Sequence, residues 1–431
     1  MSKNIKKIFV DVTIDELEKS KRNMTEKEEQ FLDMGLGMFI HWTVDVTVGV
    51  VESHWMIGAD QEPIDKMYSQ LPDLFYPTRF NPDEWALLAK TAGMKYAVFT
   101  SKHHNGFCMF DTRTTPFNVM NTRFGKDVMK SVYESFRKFD IETGLYFSPL
   151  DFTWCLENDI HLHFATDEVI PANNPGLRSY NEAQIREIFG NYGKIATVFF
   201  DGPPADLKDI VWDLSPETVI TRSEMPTPEL ELPDEIIDEP WEACYRLGNA
   251  WAYKATNENY KSGTDLIKLV IDTRSKGGNI LLNVTPDTYG QIPFEQERLL
   301  QELGLFMFFC SEAIYDVRPW HVSSEEGGIY YTRKKNTDTV YAFYTKGPWP
   351  YGERMNITLK NVMATEHSEI EMVGQNGTTL EHHPEADTTT RFTQDENGLH
   401  INAMRCFRPY SSRDWPNPVV FRITNAKWPL G

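Results

Sequence analysis

Short runs of β-branched and aromatic residues recur along the chain up to residue 284, and polar residues end each run. The apolar stretches are continuous rather than alternating, which is typical of strands buried on both faces of a parallel sheet. Six such runs begin at Gly37, Lys95, Glu142, Ile195, Thr218 and Asn279. The segments 82–93, 128–139 and 264–278 between them show helical spacing of apolar residues. This alternation of strands and helices predicts an α/β fold.

A (β/α)8-like TIM barrel is favoured over an open doubly wound sheet for this part of the chain. No G-x-G-x-x-G follows the first run, and polar residues end several different strands, as they do in barrel enzymes. After Trp320 the pattern changes to alternating or β-branched runs at 328–345, 355–360 and 418–424, separated by turn residues. This pattern predicts a C-terminal antiparallel β-sandwich. We therefore expect a barrel catalytic domain over residues 1–325 and a sandwich domain over residues 326–431.

The net charge and the cysteines indicate which binding partners and which cellular compartment to expect. The 63 acidic and 43 basic side chains give a formal net charge of −20, which disfavours nucleic acid and anionic membranes as partners. No apolar run approaches the roughly 20 residues of a membrane-spanning helix. The five cysteines are scattered without a C-x-x-C pair, so we expect neither a disulfide framework nor a structural zinc site. Because the N-terminus lacks the apolar core of a signal peptide, we expect a cytoplasmic protein, or a secreted or periplasmic one if a signal peptide has been removed.

Polar side chains stand at the ends of the predicted strands, where the loops of a barrel converge on one mouth. These positions are His41 with Trp42, His103 with His104, Tyr146, Asp201, Arg222 and Asn283. A single strand-end Asp is more often a cap, and a His pair without a third ligand at recognisable spacing is weak support for a metal site. Together, however, they indicate a binding site. Aromatic rings, His, Arg and Asn without a phosphate loop suit a neutral polyhydroxylated ligand such as a sugar.

Hydrolysis of a glycoside requires two carboxyl groups. Asp201, fixed at a strand end, is the first candidate. The second carboxyl group remains open among the acids that follow Arg222. They are Glu224, Glu229, Glu231, Asp234, Glu235, Asp238, Glu239 and Glu242.

Several motifs, in one consistent order, resemble those of a known family. The longest are GMFIHW from Gly37, AGMKYAVFTSKHHNGFCMFDT from Ala92 and SKGGNILLNVTPDTYGQIP from Ser275. Shorter matches are GLYFS from Gly144, VFFDG from Val198 and WEACYRLGNAWAYK from Trp241. From about Leu36 to the C-terminus, the chain resembles the α-L-fucosidases of glycoside hydrolase family 29.

The resemblance implies a retaining exo-α-L-fucosidase that needs no metal or organic cofactor. It makes Asp201 the nucleophile that forms a covalent fucosyl-enzyme. It makes Glu229, in the segment Thr-Pro-Glu, the acid/base, with Glu242 as the second candidate. The implied fucose pocket consists of His41, Trp42, His103, His104, Tyr146, Arg222 and Trp251. The implied partner is a fucosylated oligosaccharide or glycoside, and homo-oligomerisation stays open.

Two departures from the family pattern affect the expected specificity. Thr43 follows His41 and Trp42 where many members have Gly, and His54-Trp55 stands where they have Glu-Trp. We expect His54 and Trp55 in the pocket, with an imidazole replacing a sugar-binding carboxylate. A glycosidase of the same fold with a shifted sugar preference, such as a galactosidase, is therefore one alternative. A carbohydrate-binding pseudo-enzyme without a competent acid/base is another, and a metal-dependent hydrolase built on the His pair is a weaker third.

Overall fold

The computed structural model describes residues 23–49, 53–164, 166–410 and 414–429. The N-terminal segment on which the signal-peptide expectation rests lies outside these residues. Among the described residues, none of the helices combines the length and the apolar character needed to cross a lipid bilayer.

Nine α-helices and fifteen β-strands make up the regular structure of the described residues. The helices are α1 Thr25–Met34, α2 Gln61–Leu74, α3 Pro82–Thr91, α4 Val128–Lys138, α5 Phe152–Glu157, α6 Pro175–Asn191, α7 Leu207–Leu214, α8 Gly263–Ser275 and α9 Phe294–Cys310. The strands are β1 Leu36–Ile40, β2 Tyr96–Lys102, β3 Glu142–Phe147, β4 Thr197–Phe200, β5 Val219–Ile220, β6 Glu242–Arg246, β7 Asn279–Val284, β8 Val317–Glu325, β9 Ile329–Lys334, β10 Val340–Tyr344, β11 Arg354–Leu359, β12 Ile370–Met372, β13 Arg391–Asp395, β14 Gly398–Met404 and β15 Val419–Ile423.

The first seven strands form one parallel sheet in the order β5-β4-β3-β2-β1-β7-β6. The six runs predicted as strands become β1 to β5 and β7, and the three predicted helices become α3, α4 and α8. The prediction of an α/β barrel-type domain followed by an antiparallel domain is confirmed. Strand β6 was missed because it opens with a glutamate, Glu242, and ends in an arginine, Arg246, so it lacks the long continuous apolar run of most of the other parallel strands.

A further segment lies beside β6, between β5 and β6 in chain order. The amides of Glu242 and Cys244 donate to the carbonyls of Pro226 and Pro228, and the amide of Leu230 donates to the carbonyl of Cys244, each at 3.1 Å. This pairing is parallel, so the segment 226–230 extends the curved wall where an eighth strand of a barrel would lie.

Two glycines allow the strands to pack around a barrel interior filled with aromatic rings. A Cβ at Gly37 would lie 2.6 Å from the ring of Tyr96, and one at Gly144 would lie 2.3 Å from the hydroxyl of Thr197. Because no side chain tolerates such distances, only glycine fits at these two positions.

The remaining strands form two antiparallel sheets, β12-β15-β10-β9-β8 and β11-β14-β13. Residues of both sheets, among them Phe421 and Ile401, share one apolar core, which confirms the predicted β-sandwich. Strand β8 precedes the boundary expected at residue 325, yet it pairs with β9 in the larger sheet. We therefore propose that the C-terminal domain begins near Val317.

The sandwich packs directly on the barrel domain. Tyr341, Phe343 and Val420 belong to the same buried cluster as the apolar residues of α8 and α9. The side chain of Asn417 accepts from the Thr264 hydroxyl at 2.8 Å and donates to Glu302 at 2.9 Å. These hydrogen bonds join the sandwich to the outer helices α8 and α9 of the barrel.

Candidate active site

A cavity of about 510 Å³ opens at the carboxyl ends of the parallel strands. This volume suits a small ligand. It is lined by Phe39, His41, His54, His103, Tyr146, Phe199, Asp201, Arg222, Glu229, Cys244 and Trp251. Another cavity, of about 540 Å³, lies beside Arg318, but that guanidinium is already paired with Glu29 and Asp33. The first cavity is therefore the candidate active site.

Asp201 follows β4 and presents its carboxylate to the cavity with 14% of the side chain exposed. The Tyr146 hydroxyl donates to Oδ2 at 2.6 Å, and Nη1 of Arg222 lies 3.7 Å from Oδ1. Burial alone raises the pKa of Asp201, but the Arg222 charge, the His104 ring and the Tyr146 hydrogen bond together hold this pKa below its ordinary value. Asp201 is consequently ionised at neutral pH, as a nucleophile must be.

Glu229 stands opposite Asp201 on the segment that pairs with β6. Nη1 of Arg222 lies 3.4 Å from Oε2 of Glu229 as well as 3.7 Å from Oδ1 of Asp201. The two carboxylate oxygens are therefore no more than about 7 Å apart, the sum of these distances, which accommodates the roughly 5–5.5 Å typical of retaining glycosidases. The Glu229 side chain is 38% exposed, so solvent and a leaving group can reach it.

Three buried histidines converge beside Asp201, each held through Nδ1. His41 contacts Oδ1 of Asn283 at 2.6 Å, His103 contacts the Ser53 hydroxyl at 2.7 Å, and His104 contacts the Ser148 hydroxyl at 2.5 Å.

Burial lowers the pKa of His41 and of His104 to about 4. It also holds the pKa of His103 well below its ordinary value. All three rings are neutral at pH 7, so they recognise a ligand by hydrogen bonds rather than by charge.

Aromatic rings form the floor and one wall of the cavity. Tyr146 stacks on His103 with ring centroids 5.4 Å apart, and it stacks on Phe199 at 5.9 Å. The ring of Trp251 lies 6.3 Å from that of Phe39 and 5.4 Å from that of His41. Such a surface offers apolar contact to one face of a sugar ring beside the polar edge made by the histidines.

Comparison with known proteins identifies the family to which the chain belongs. The sequence model of the family described as Alpha-L-fucosidase matches residues 11–312. The chain belongs to this family. It is 28% identical to mouse tissue alpha-L-fucosidase over 384 residues, which cover 80% of this chain and 83% of the mouse protein. It is 27% identical to human tissue alpha-L-fucosidase over 384 residues, which cover 80% and 81% of the two chains.

Solved structures of the family share the fold. Alpha-L-fucosidase isoenzyme 1 from Paenibacillus thiaminolyticus is 26% identical, with a TM-score of 0.74 over 93% of this chain and 99% of that one. A GH29 alpha-L-fucosidase from Bacteroides thetaiotaomicron, solved as a trapped covalent intermediate, is 21% identical, with a TM-score of 0.75 over 95% and 98% of the two chains. At that identity the second likeness shows the fold alone. As a member of the α-L-fucosidase family, the protein is a glycoside hydrolase.

The structure brings most of the predicted fucosidase pocket together. Asp201, Glu229, His41, His54, His103, Tyr146, Arg222 and Trp251 all line the cavity. Of the acids that sequence reasoning left open after Arg222, Glu229 alone lines it. Glu224, for example, is buried and paired with Lys208 at 2.9 Å.

Three residues expected in the fucose pocket lie off the cavity wall. Trp42 is buried against Phe80 and Trp85 in the core, and Trp55 donates its indole proton to Asp45 at 3.2 Å. His104 is buried next to the wall, and its Nε2 faces Oδ2 of Asp201, a lining residue, at 3.4 Å.

Three residues that line the cavity were missed by sequence reasoning, namely Phe39, Phe199 and Cys244. Phe39 precedes His41 by two positions and Phe199 precedes Asp201 by two. Because alternate residues of a strand share a face, this spacing was the signal that could have found them. Cys244 lies on β6, the strand that was not predicted.

Glu242, the second acid/base candidate, does not line the cavity. It is the first residue of β6, fully buried, and its Oε1 accepts the Tyr96 hydroxyl at 2.6 Å. Burial raises the pKa of Glu242 to about 8, so it is a neutral carboxylic acid at pH 7. Its position at the opposite end of the strands favours a structural role.

One cluster with metal-ligand chemistry occurs among the described residues, and it lies in this site. A ligand atom from each of His103, His104 and Asp201 falls within 4.8 Å of the others. The Arg222 guanidinium lies 3.7 Å from the same carboxylate, and its positive charge opposes a cation there. The geometry therefore favours a sugar over a metal ion.

Proposed function

We propose that the protein is a retaining exo-α-L-fucosidase, with Asp201 as nucleophile and Glu229 as acid/base. The observation that carries the proposal is the pair of carboxylates held by one nitrogen of Arg222 across the mouth of the cavity. The floor of packed aromatic rings supports an exo-acting enzyme, because it leaves room for a terminal sugar and none for a chain that continues through.

The first step would transfer the fucosyl group to the enzyme. A carboxylate oxygen of Asp201 attacks C1 of the sugar, and the bond from C1 to the glycosidic oxygen breaks. Glu229 in its acid form gives its proton to that departing oxygen. The Tyr146 hydroxyl and the Arg222 guanidinium hold the attacking carboxylate ionised and oriented.

The second step would release fucose. Glu229, now a carboxylate, takes a proton from water, whose oxygen attacks C1 and displaces the Asp201 carboxylate. Two inversions at C1 return the original configuration. The three histidines would bond ring hydroxyls, while Phe39, Phe199 and Trp251 would contact the apolar face and the C6 methyl group.

The proposal is tested by nitrophenol release from nitrophenyl α-L-fucoside. We expect turnover by the wild-type protein and loss of at least about 10³-fold in Asp201→Asn. NMR of the first product should show the α-anomer of fucose. 2-Fluoro-fucosyl fluoride should lose its anomeric fluoride and add one 2-deoxy-2-fluoro-fucosyl mass to the peptide that contains Asp201. The matched control is Asp206→Asn, because Asp206 pairs with Arg178 outside the cavity. A β-anomer as the first product would refute the retaining mechanism.

A shifted sugar preference is the second candidate, since His54 lines the cavity where the resemblance predicts a carboxylate. The His54 ring lies 5.5 Å from that of Phe164, so this corner is shaped by aromatic contacts. Nitrophenyl α-L-galactoside and β-D-galactoside, assayed in parallel with the α-L-fucoside, decide between a fucosidase and an enzyme with a shifted sugar preference. Faster turnover of a galactoside would favour the shifted preference. Fucose binding without hydrolysis of any of the three would favour a binding protein.

The cysteines support the cytoplasmic alternative for localisation. All five are free thiols buried in the structure. Extracellular proteins commonly use cysteines in disulfides, so this pattern fits a reducing compartment.

A further inference from the structure

The hydrogen bonds of Ser148 determine where His104 carries its proton. The Ser148 hydroxyl lies 2.7 Å from the carbonyl oxygen of Leu150, which can only accept. The single hydroxyl proton of Ser148 is therefore directed to that carbonyl. The contact of 2.5 Å between the serine oxygen and Nδ1 of His104 must then use a proton from the imidazole. Neutral His104 accordingly carries its proton on Nδ1 and a lone pair on Nε2.

Ser53 imposes the opposite arrangement on His103. Its hydroxyl oxygen accepts from the backbone amide of Asn105 at 2.8 Å and lies 2.7 Å from Nδ1 of His103. Ser53 is fully buried, so a hydroxyl proton without an acceptor would cost free energy. Among the described residues, Nδ1 of His103 is the acceptor within reach. His103 therefore accepts at Nδ1 and carries its proton on Nε2.

The two outer nitrogens differ in what they offer to a ligand. Nε2 of His104 is buried, has no hydrogen-bond partner among the described residues and faces Oδ2 of Asp201 at 3.4 Å. Both atoms are acceptors, so a sugar hydroxyl placed beside them finds a lone pair to which it can donate. The His103 ring, 4.6 Å from the His104 ring, lines the cavity and bears the donor Nε2–H.

We propose that Ser148 and Ser53 are positioning residues that hold His104 and His103 in opposite neutral tautomers. His104 thereby accepts a hydrogen bond from one hydroxyl of the sugar through Nε2, and His103 donates one to another hydroxyl through Nε2–H. This inference rests on the proposed function for the identity of the ligand, while the tautomers themselves are a property of the free protein. The low pKa values of both rings keep them neutral over the pH range in which tautomers matter.

Nitrogen-15 NMR of histidine-labelled protein at neutral pH tests the tautomers directly, with His103→Gln and His104→Gln variants for assignment. We expect the proton on Nε2 of His103 and on Nδ1 of His104. Ser148→Ala should leave His104 as a mixture of tautomers, and Ser148→Thr should restore the single form. The matched control is Ser101→Ala, since Ser101 is a buried serine of β2 that donates to the Tyr146 carbonyl and, among the described residues, makes no hydrogen bond to a histidine. The same tautomer in both rings, or no change in Ser148→Ala, would overturn the inference.

Calorimetric titration with L-fucose tests the consequence for recognition. We expect Ser148→Ala and Ser53→Ala each to weaken binding by about tenfold, the scale of one hydrogen bond to a neutral group, with Ser101→Ala within about twofold of wild type. Melting temperatures identify any variant that fails to fold, and Ser53→Gly then replaces Ser53→Ala, because Ser53 has a φ of 37° that glycine adopts without strain. Unchanged affinity in folded Ser148→Ala would contradict the proposal. If the wild type binds no fucose, the proposed function fails, and the NMR result still decides the tautomers.

Discussion

His41 and Asn283 are 242 positions apart in the sequence and lie in contact at 2.6 Å, between Nδ1 and Oδ1. The amide nitrogen of Asn283 donates to the carbonyl of Trp251 at 2.7 Å, which fixes the amide so that its oxygen faces the imidazole. His41 therefore donates from Nδ1 and presents the lone pair of Nε2 to the cavity. One side chain on β7 thus orients a ring that directly follows β1 and anchors the loop that carries Trp251.

Loss of this amide should impair substrate binding more than chemistry. We expect Asn283→Ala to raise KM for nitrophenyl α-L-fucoside by about tenfold with a smaller effect on kcat, because both hydrogen bonds that orient the pocket disappear. Asn283→Asp keeps an acceptor for His41, so its KM should lie between those of wild type and Asn283→Ala. Steady-state kinetics at neutral pH provide the measurement. A KM within twofold of wild type in a folded Asn283→Ala protein would show that the ring needs no such support.

Glu229→Ala should separate substrates by their leaving groups. Protonation matters least for a good leaving group, so we expect a small loss with dinitrophenyl fucoside and a loss of about 10²–10³-fold with a natural disaccharide. Glu231→Ala is the matched control, since Glu231 is an exposed acid two positions along the same segment. Equal losses on both substrates, or wild-type hydrolysis of the disaccharide, would assign the acid/base elsewhere.

Glu242 should make the stability of the protein decrease as the pH rises from about 4.5 to about 8. Burial raises its pKa from 4.5 to about 8, so between these values the folded protein holds a proton that the unfolded chain has lost. The free energy of unfolding therefore falls as pH rises through this window, by at most about 1.4 kcal/mol per pH unit. In Glu242→Gln this contribution is absent. Urea unfolding at several pH values should show that the free energy of unfolding of Glu242→Gln increases relative to that of wild type as the pH rises. The free energy of unfolding of Glu231→Gln should follow that of wild type.

The same variant tests the catalytic assignment. Glu242→Gln keeps an oxygen for the Tyr96 hydroxyl, and we expect it to retain fucosidase activity. A loss as large as that of Asp201→Asn would mean that Glu242 takes part in the chemistry.

The histidines of the pocket should set the acid limit of binding near pH 4. His41 and His104 have pKa values of about 4 because they are buried. Above that pH their Nε2 atoms accept, and below it protonation removes both acceptors. We expect kcat/KM to show no inflection near the ordinary histidine pKa of about 6.5 and to fall towards pH 4. An inflection near 6.5 that disappears in His104→Gln would show a solvated, titrating ring.

The strand pattern was readable from the sequence because buried parallel strands are continuous apolar runs. The position of Asp201 followed from the same pattern, since it comes directly after β4. Strand β6 was not readable, because its glutamate becomes compatible with burial only through the Tyr96 hydroxyl, and Tyr96 is 146 positions away.

The amino-acid sequence by itself determined the α/β barrel and the β-sandwich, the family, and the strand ends that bear His41, His103 and Asp201. Local periodicity and contiguous motifs encode these features. The family resemblance proposed Glu229 as the acid/base. Only the tertiary structure showed that, of the acids after Arg222, Glu229 alone lines the cavity, where the pairing of residues 226–230 with β6 places it. The tertiary structure also placed the Trp42 ring in the core and brought Ser53, Ser148 and Asn283 to the imidazoles. Such contacts depend on how distant segments meet, which a linear pattern of polar and apolar residues does not specify.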